Sequence, residues 1–391
     1  MKRNTKYRIG ILHNAYLQKG GEDQVVENEI KLLKENNFIV SLLKFQNSDN
    51  QAGQISSFIF SCFNVLSFLR CIKWLKANKI NVLHIHNWFY KASPSVIWAA
   101  RFCKVPVVMT VHNYRLICPS ANLTNNNALF TSSLDTEFPW EAVKKGVYRN
   151  SSVLTFIAAF NVWINNKIGT WNVISRFIIL TQHSKEVIQK SRLYIDPAKF
   201  MIKPNFIFPP SALGAQSREN HYLFVGRLSE DKGINLLLGA FTETSYKVKI
   251  IGTGPLQNKV EEFSKNNSNV TYLGFQEKDV IQKEMLRCNA LIFPSCETFG
   301  MVIIEAFSMS TPVIASCLGG ASMIVKNEFN GLHIEDSSIS ELKNKLEKWT
   351  SLEKSIKEKY CQNAYDSYLN LYSPEKNLEQ LIDVYKSVIN N

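Results

Sequence analysis

The stretch FPSCETFGMVIIEAF, residues 293–307, sets Glu297 and Glu305 eight positions apart in a run otherwise fit for a protein interior. An unpaired charge is costly to bury, so such carboxylates need fixed partners, and a ligand is one. The run NALIFP reads as a strand ending at Pro294, and MVIIEAFSMS as a helix starting near Gly300. Glu297 then falls in the loop and Glu305 inside the helix. Helix-start amides suit a phosphate, and carboxylates accept hydrogen bonds from sugar hydroxyls. The pair therefore suits a nucleotide-sugar held by its hexose and its ribose.

Other stations have complementary chemistry. FVGRLSEDKG puts Arg227 and Lys232 between a strand end and a helix start, flanked by Gly226 and Gly233. A bidentate guanidinium and a point-charge ammonium suit a departing diphosphate, with solvated surface charge as the alternative. VLHIHNWF and VVMTVHNYRLICP each end a hydrophobic run with His-Asn, so His86 and His112 are either hydrogen-bonded structural residues or members of a site. A zinc site is not expected, because no third ligand follows at a ligand spacing. Gly20 and Gly21 precede a helix with an acidic first turn, where backbone amides can approach an anion. In IIGTGPLQNKV, Gly252 and Gly254 lack the third glycine of a dinucleotide fingerprint, and a tight loop approaching a flat base fits better.

The elements that must position these residues repeat. Apolar runs at 7–12, 82–86, 105–111 and 176–181 read as buried parallel strands between helical patterns. A second set follows at 221–226, 246–252, 269–274, 289–294 and 312–316. Two such sets predict two doubly wound α/β domains with ligands at the carboxyl ends of the strands. Residues 203–220, with three prolines and no hydrophobic period, read as a linker. The expected division is 1–205 and 206–373, followed by a helix over 374–391.

The combination GGEDQVVENEI, VHNYRLICP, FVGRLSEDKG, IIGTGP and PSCETFGMVIIEAFSMSTPVIAS resembles the family-4 glycosyltransferases, retaining enzymes with two facing Rossmann-like domains (the GT-B fold). HNYRLICP is similar to one bacterial branch that builds cell-surface polysaccharides. The resemblance implies that Glu297 contacts the donor sugar, Glu305 the ribose, and Arg227 and Lys232 the diphosphate. It places His112 beside the reacting sugar and Gly21 in a loop that closes on it. Gly226, Gly252, Gly254, Phe299 and Gly300 join the donor-binding set, and the final helix packs back on the first domain. Met323 stands where the family usually has a glutamate, and NLTNNNALFTSSLDTEF replaces a frequent cysteine pair, which leaves room for a different acceptor.

The implied reaction moves a hexosyl unit from a nucleoside-diphosphate sugar, UDP being the commoner base, to a hydroxyl of a lipid-linked or growing glycan with retention. With no covalent nucleophile in evidence, the departing diphosphate is expected to take the acceptor proton on the same face. No cofactor and no metal are expected, since the chain contains no D-x-D triplet and its cations can serve the leaving group. A sugar-nucleotide epimerase and a non-catalytic scaffold in a polysaccharide assembly complex remain the rival classes.

The formal net charge is +12, and the excess lies in the first half: residues 1–205 hold 26 Lys and Arg against 11 Asp and Glu, residues 206–391 hold 19 against 22. No zinc-finger spacing or RNA-binding aromatic signature points to nucleic acid. The apolar stretch 55–69 and the segment KKGVYRNSSVLTFIAAFNVWINNK (144–167) suit a helix lying on an anionic bilayer, or else a core helix. Cytoplasmic location at the inner membrane face, without a spanning segment or secretory signal, is the expectation. Eight cysteines without a C-x-x-C are expected to stay reduced and fill core space.

Overall fold

The computed structural model describes residues 7–15, 20–47, 60–125, 128–210 and 217–389. It divides into two compact units, Met1–Pro204 with Asn377–Asn391, and Asn205–Lys376. Residues 55–59 of the apolar stretch and 211–216 of the linker lie outside the described residues.

The first unit is built on a parallel sheet of β1 (Arg8–Ala15), β2 (Ile39–Gln46), β3 (Val82–Asn87), β4 (Val107–Val111), β7 (Arg176–Ile179) and β8 (Phe200–Ile202) in the order β2-β1-β3-β4-β7-β8. A two-residue antiparallel pair, β5 (Thr124–Asn125) and β6 (Ala128–Leu129), lies apart from it. The inner strands are apolar on both sides because both faces of the sheet are covered. One face packs Leu12, Leu83, Ile85 and Phe177 against Trp171 and the helices Val65–Ala77 and Ser95–Phe102. The other packs Ile9, Ile11, Val82, Val108 and Ile178 beneath the helices Gly21–Glu35 and Pro374–Ile389, the latter contributing Leu381, Val384 and Tyr385.

The second unit repeats the pattern with β9 (Tyr222–Val225), β10 (Val248–Ile251), β11 (Val270–Gly274), β12 (Leu291–Phe293), β13 (Val313–Ser316) and β14 (Gly331–Ile334), ordered β11-β10-β9-β12-β13-β14 and parallel throughout. In doubly wound sheets the ligand crevice opens where the strand order reverses. That switch falls between β1 and β3 in the first sheet and between β9 and β12 in the second. β2, β8 and β14, all at sheet edges, do not stand out in the sequence as buried runs. Among the cysteines, Cys71, Cys118 and Cys288 are buried, the other five are half-buried, and all are free thiols.

Candidate active site

The carboxyl ends of β9 and β12 carry the second unit's charged groups. Lys232 lies in a short 3-10 turn after β9, Glu297 in the loop after β12, and Lys232 Nζ sits 2.5 Å from Glu297 Oε1. Ser295 Oγ donates to the same carboxylate oxygen at 3.2 Å. The structure thus brings together, at a topological switch point, a cation and a carboxylate that are 65 positions apart in the chain. Arg227, just past β9, is exposed, and its side chain makes no hydrogen bond or ion pair among the described residues.

The loop holding Glu297 is fixed by close backbone packing. Gly320 N donates to Glu297 O at 2.6 Å, and a Cβ at Gly320 would lie 1.9 Å from Thr298 O. Gly300 has φ +93° and precedes the helix Met301–Ser308, so the turn into that helix uses a conformation that glycine adopts without strain. Phe299, only 3% exposed, packs edge-on to Tyr372 at 6.1 Å, so its ring belongs to the interior. Glu305 lies in the second turn of the helix. Burial pushes its carboxyl up to about 7, with Lys278 opposing.

Two glycines singled out for ligand approach are required by the protein itself. A Cβ at Gly252, where φ is +140°, would fall 1.8 Å from Gly226 O, and one at Gly254 would fall 2.5 Å from Leu228 O. The post-β9 and post-β10 loops therefore run backbone against backbone, tied by Leu228 N to Thr253 O at 2.9 Å. At Gly226 a Cβ would make only ordinary contact, 3.5 Å from Phe224, so packing does not demand glycine there.

In the first unit, Gly20 and Gly21 open the helix Gly21–Glu35. Asp23 accepts the Gly20 amide at 2.9 Å through one oxygen and meets His13 Nε2 at 2.9 Å through the other. Burial lowers the pKa of His13 despite Asp23. Further along the same helix, Glu29 is 1% exposed and gathers charged and polar groups around it. His86 Nε2 lies 3.2 Å and His84 Nδ1 2.9 Å from its Oε1, and Lys203 Nζ, 2% exposed as a residue, lies 3.4 Å from its Oε2. Lys203 also donates to Asn377 Oδ1 at 3.1 Å, and His84 Nδ1 lies 2.9 Å from the Tyr385 hydroxyl. Burial opposes ionisation of Glu29, but His84, Lys203 and His86 outweigh it and hold the carboxyl well below its ordinary range. His112, just beyond β4, places Nε2 3.0 Å from His86 Nδ1, with the two rings stacked at 5.3 Å. Burial, with His84 second, takes His86 down to about 4, and burial followed by His86 takes His112 well below its ordinary value.

One cluster of possible metal ligands stands out among the described residues. Glu29, His84 and His86, a different set from the His86 and His112 weighed by spacing, offer ligand atoms within 4.8 Å of one another. The donor set is nevertheless a poor fit for a cation, because the Lys203 ammonium already compensates the carboxylate. The rest of the HNYRLICP loop is closed by its own groups: Asn113 Oδ1 accepts the Arg115 amide at 3.0 Å, and the Arg115 guanidinium sits 4.3 Å from the Phe89 ring centroid. Sequence reading did not reach Glu29, Lys203 or the His13–Asp23 pair.

With this geometry in view, similarity to known proteins can be set beside it. Residues 209–367 match the family of glycosyl transferases group 1. An uncharacterized glycosyltransferase of Methanocaldococcus jannaschii is 39% identical over 130 residues, which are 32% of this chain and 37% of that one. A UDP-Gal:alpha-D-GlcNAc-diphosphoundecaprenol alpha-1,3-galactosyltransferase of Escherichia coli is 25% identical over an alignment of 432 residues spanning all of both chains. The chain thus covers just over a third of the first relative and the whole of the second. Among solved structures, a glycosyltransferase of Rickettsia africae superposes on 99% of this chain and all of its own with a TM-score of 0.69 at 17% identity, a likeness that shows the fold.

Proposed function

We propose that the protein is a retaining glycosyltransferase that moves a hexosyl unit from a nucleoside-diphosphate sugar to a hydroxyl of a lipid-linked or growing surface glycan. The observation that carries this reading is the Lys232–Glu297 pair at the β9/β12 switch point, beside the helix that begins after Gly300. In this reading Glu297 accepts hydrogen bonds from the donor sugar and Glu305 from the ribose. Arg227 and Lys232 neutralise the diphosphate as its charge grows, and the amides after Gly300 add to that stabilisation. Lys232 then exchanges part of its contact with Glu297 for phosphate oxygens. The diphosphate takes the acceptor proton on the face it leaves, which gives retention without a covalent intermediate and without a divalent ion. His112 of the first unit serves the reacting sugar.

The Escherichia coli relative, named for a UDP-sugar and a diphosphoundecaprenol-linked acceptor, supports UDP and a lipid-linked acceptor as the first pair to try. Peripheral attachment to an anionic membrane face completes the proposal. The helix Val65–Ala77 exposes Val65, Leu66 (79%) and Leu69 and carries Arg70, Lys73 and Lys76, while Phe60, Phe63 and Phe102 are also exposed. Val153, Phe156 and Phe160 of the helix Ser152–Lys167 are likewise exposed, as is Trp140. Such helices fit burial at a lipid interface beside basic side chains. No helix among the described residues is long and apolar enough to cross a membrane.

The test is incubation of the purified protein with a panel of nucleotide-sugars, with and without a polyprenyl-diphosphate-linked sugar, in chelator. Transfer that needs acceptor, survives chelation and keeps the anomeric configuration supports the reading. Donor conversion without acceptor would turn it toward an epimerase, and chelator-sensitive transfer rescued by magnesium would remove the metal-free mechanism.

A further inference from the structure

The helix Ser152–Lys167 presents two different apolar faces on the first unit. At 3.6 residues per turn, Ala158, Ala159, Val162 and Trp163 share one face, and Val153, Phe156, Phe160 and Trp163 share the next. The first face lines an open pocket of about 510 Å³, mouth included, while Val153, Phe156 and Phe160 of the second are exposed. Trp163 belongs to both. We propose that this pocket takes one acyl chain of an anionic membrane phospholipid, drawn in from the lipid surface on which the exposed face lies. The inference rests on the membrane attachment proposed above and uses nothing of the transfer reaction.

The pocket is apolar where it is deep and polar where it is wet. Leu116, Ile117, Ala158, Ala159 and Leu193 line it as buried residues. Thr136, Glu137 and Arg192 line it as exposed ones and mark its mouth. Its volume falls among those of sites that enclose a small ligand, roughly 300–1,000 Å³. A sugar would find few hydrogen-bond partners against such walls, whereas a hydrocarbon chain needs none and gains by leaving water. The division into an apolar floor and a charged mouth fits an amphiphile that inserts its chain and keeps its head outside.

The mouth sets the sign of that head. Lys167 pairs with Glu137 and holds its carboxyl below the ordinary range, and Arg192 adds to the effect, so the cations there outnumber the one carboxylate. Residues 137–167 as a whole carry four Lys and Arg against two Glu, which favours a phosphate over a neutral or cationic head. Ring contacts supply the route. Phe138 stands 4.6 Å from the exposed Trp140, 5.7 Å from Phe156 and 6.0 Å from Trp163, and Phe160 stands 5.7 Å from Trp163. The exposed aromatic surface therefore continues to the pocket wall, and exposed apolar patches rimmed by basic side chains suit a lipid interface.

The test is calorimetric titration of the full chain with decanoyl-lysophosphatidylglycerol, a single-chain anionic lipid, below its micelle-forming concentration. Binding should saturate at one lipid per chain. The octanoyl homologue lacks two CH2 groups and should bind about fifteenfold more weakly, at about 0.8 kcal/mol for each. Ala159→Phe, or Val162→Phe should that variant not fold, fills the pocket and should abolish the titration while pelleting with anionic vesicles persists. Arg192→Gln should weaken the lysolipid by about two- to fivefold, as expected of an exposed charge pair. Val153→Ser with Phe156→Ser should do the converse, losing the pelleting and keeping the one-to-one binding. Uptake of several lipids without saturation, an unchanged titration in a folded pocket-filling variant, or tighter binding of a short oligosaccharide or of farnesyl phosphate would each overturn the inference. Absence of vesicle pelleting by the wild type would defeat the membrane attachment and the route into the pocket with it, and it reads out separately from the calorimetry.

Discussion

The half-buried Glu305 makes nucleotide binding a titration experiment. Burial raises its pKa from an ordinary 4.5 to about 7, against the pull of Lys278. A folded-state value above the unfolded one means that Glu305 favours the folded unit at low pH, and that this contribution fades as pH rises from about 4.5 through about 7. Ionising the carboxylate above that range costs about 3 kcal/mol relative to the unfolded chain, taking 1.36 kcal/mol per pH unit. Two ribose hydroxyls donating to Glu305 require the carboxylate form, so binding should pull the proton off. Only about 3% of the group is ionised at pH 5.5 and about 91% at pH 8, which predicts roughly a 30-fold tightening of nucleotide affinity across that span. Calorimetry in two buffers of different ionisation enthalpy should register about half a proton released at pH 7. Titration of the nucleotide's own phosphate is cancelled by repeating the series with Glu305→Gln, which should bind weakly and lose the extra slope. The same pH slope in Glu305→Gln as in wild type would refute the assignment of Glu305 to the ribose.

Three further outcomes follow from the same geometry. Glu297→Gln, which loses the charge that engages Lys232, should lower kcat by about a hundredfold and leave donor affinity within a few-fold, and near-wild-type steady-state kinetics would remove the donor-grip reading. Gly320→Ala, which puts a methyl 1.9 Å from Thr298 O, should cost about 2 kcal/mol in thermal or urea unfolding and misplace the Glu297 loop; an unchanged midpoint would show that the loop yields freely. In vesicle sedimentation the protein should pellet with anionic but not neutral lipid, less so as salt rises, and Leu66→Glu should weaken the binding; equal binding to both lipids would count against electrostatic docking.

The inner strands of both sheets were legible because strands buried on both faces read as unbroken apolar runs, as in VLHIH and NALIFP. β2, β8 and β14, all edge strands, were not, although the edge strand β11 was, from its run NVTYLG. The interrupted IVSLLKFQ and the three- and four-residue FMI and GLHI do not stand out as such runs. In the second unit the placement of Glu297 and Lys232 was readable because each follows a strand end that the pattern marks. In the first unit Glu29 looked like an ordinary polar position of an amphipathic helix, and only the fold reveals that Lys203, 174 positions later, shares its burial. The glycines of IIGTGP were legible as special, but not for the reason that governs Gly252 and Gly254, which is one backbone pressed on another.

The last helix, Pro374–Ile389, covers a face of the sheet that the first two hundred residues build, and Asn377 and Tyr385 reach back to Lys203 and His84. During synthesis Ile9, Ile11, Val82, Val108 and Ile178 must therefore wait, incompletely sheltered, while all of the second unit is made. That unit is contiguous in the chain and can fold first. The first sheet is thus finished only after the second unit has been made, which exposes the nascent chain to aggregation and makes residues 1–204 alone a poor fragment to express.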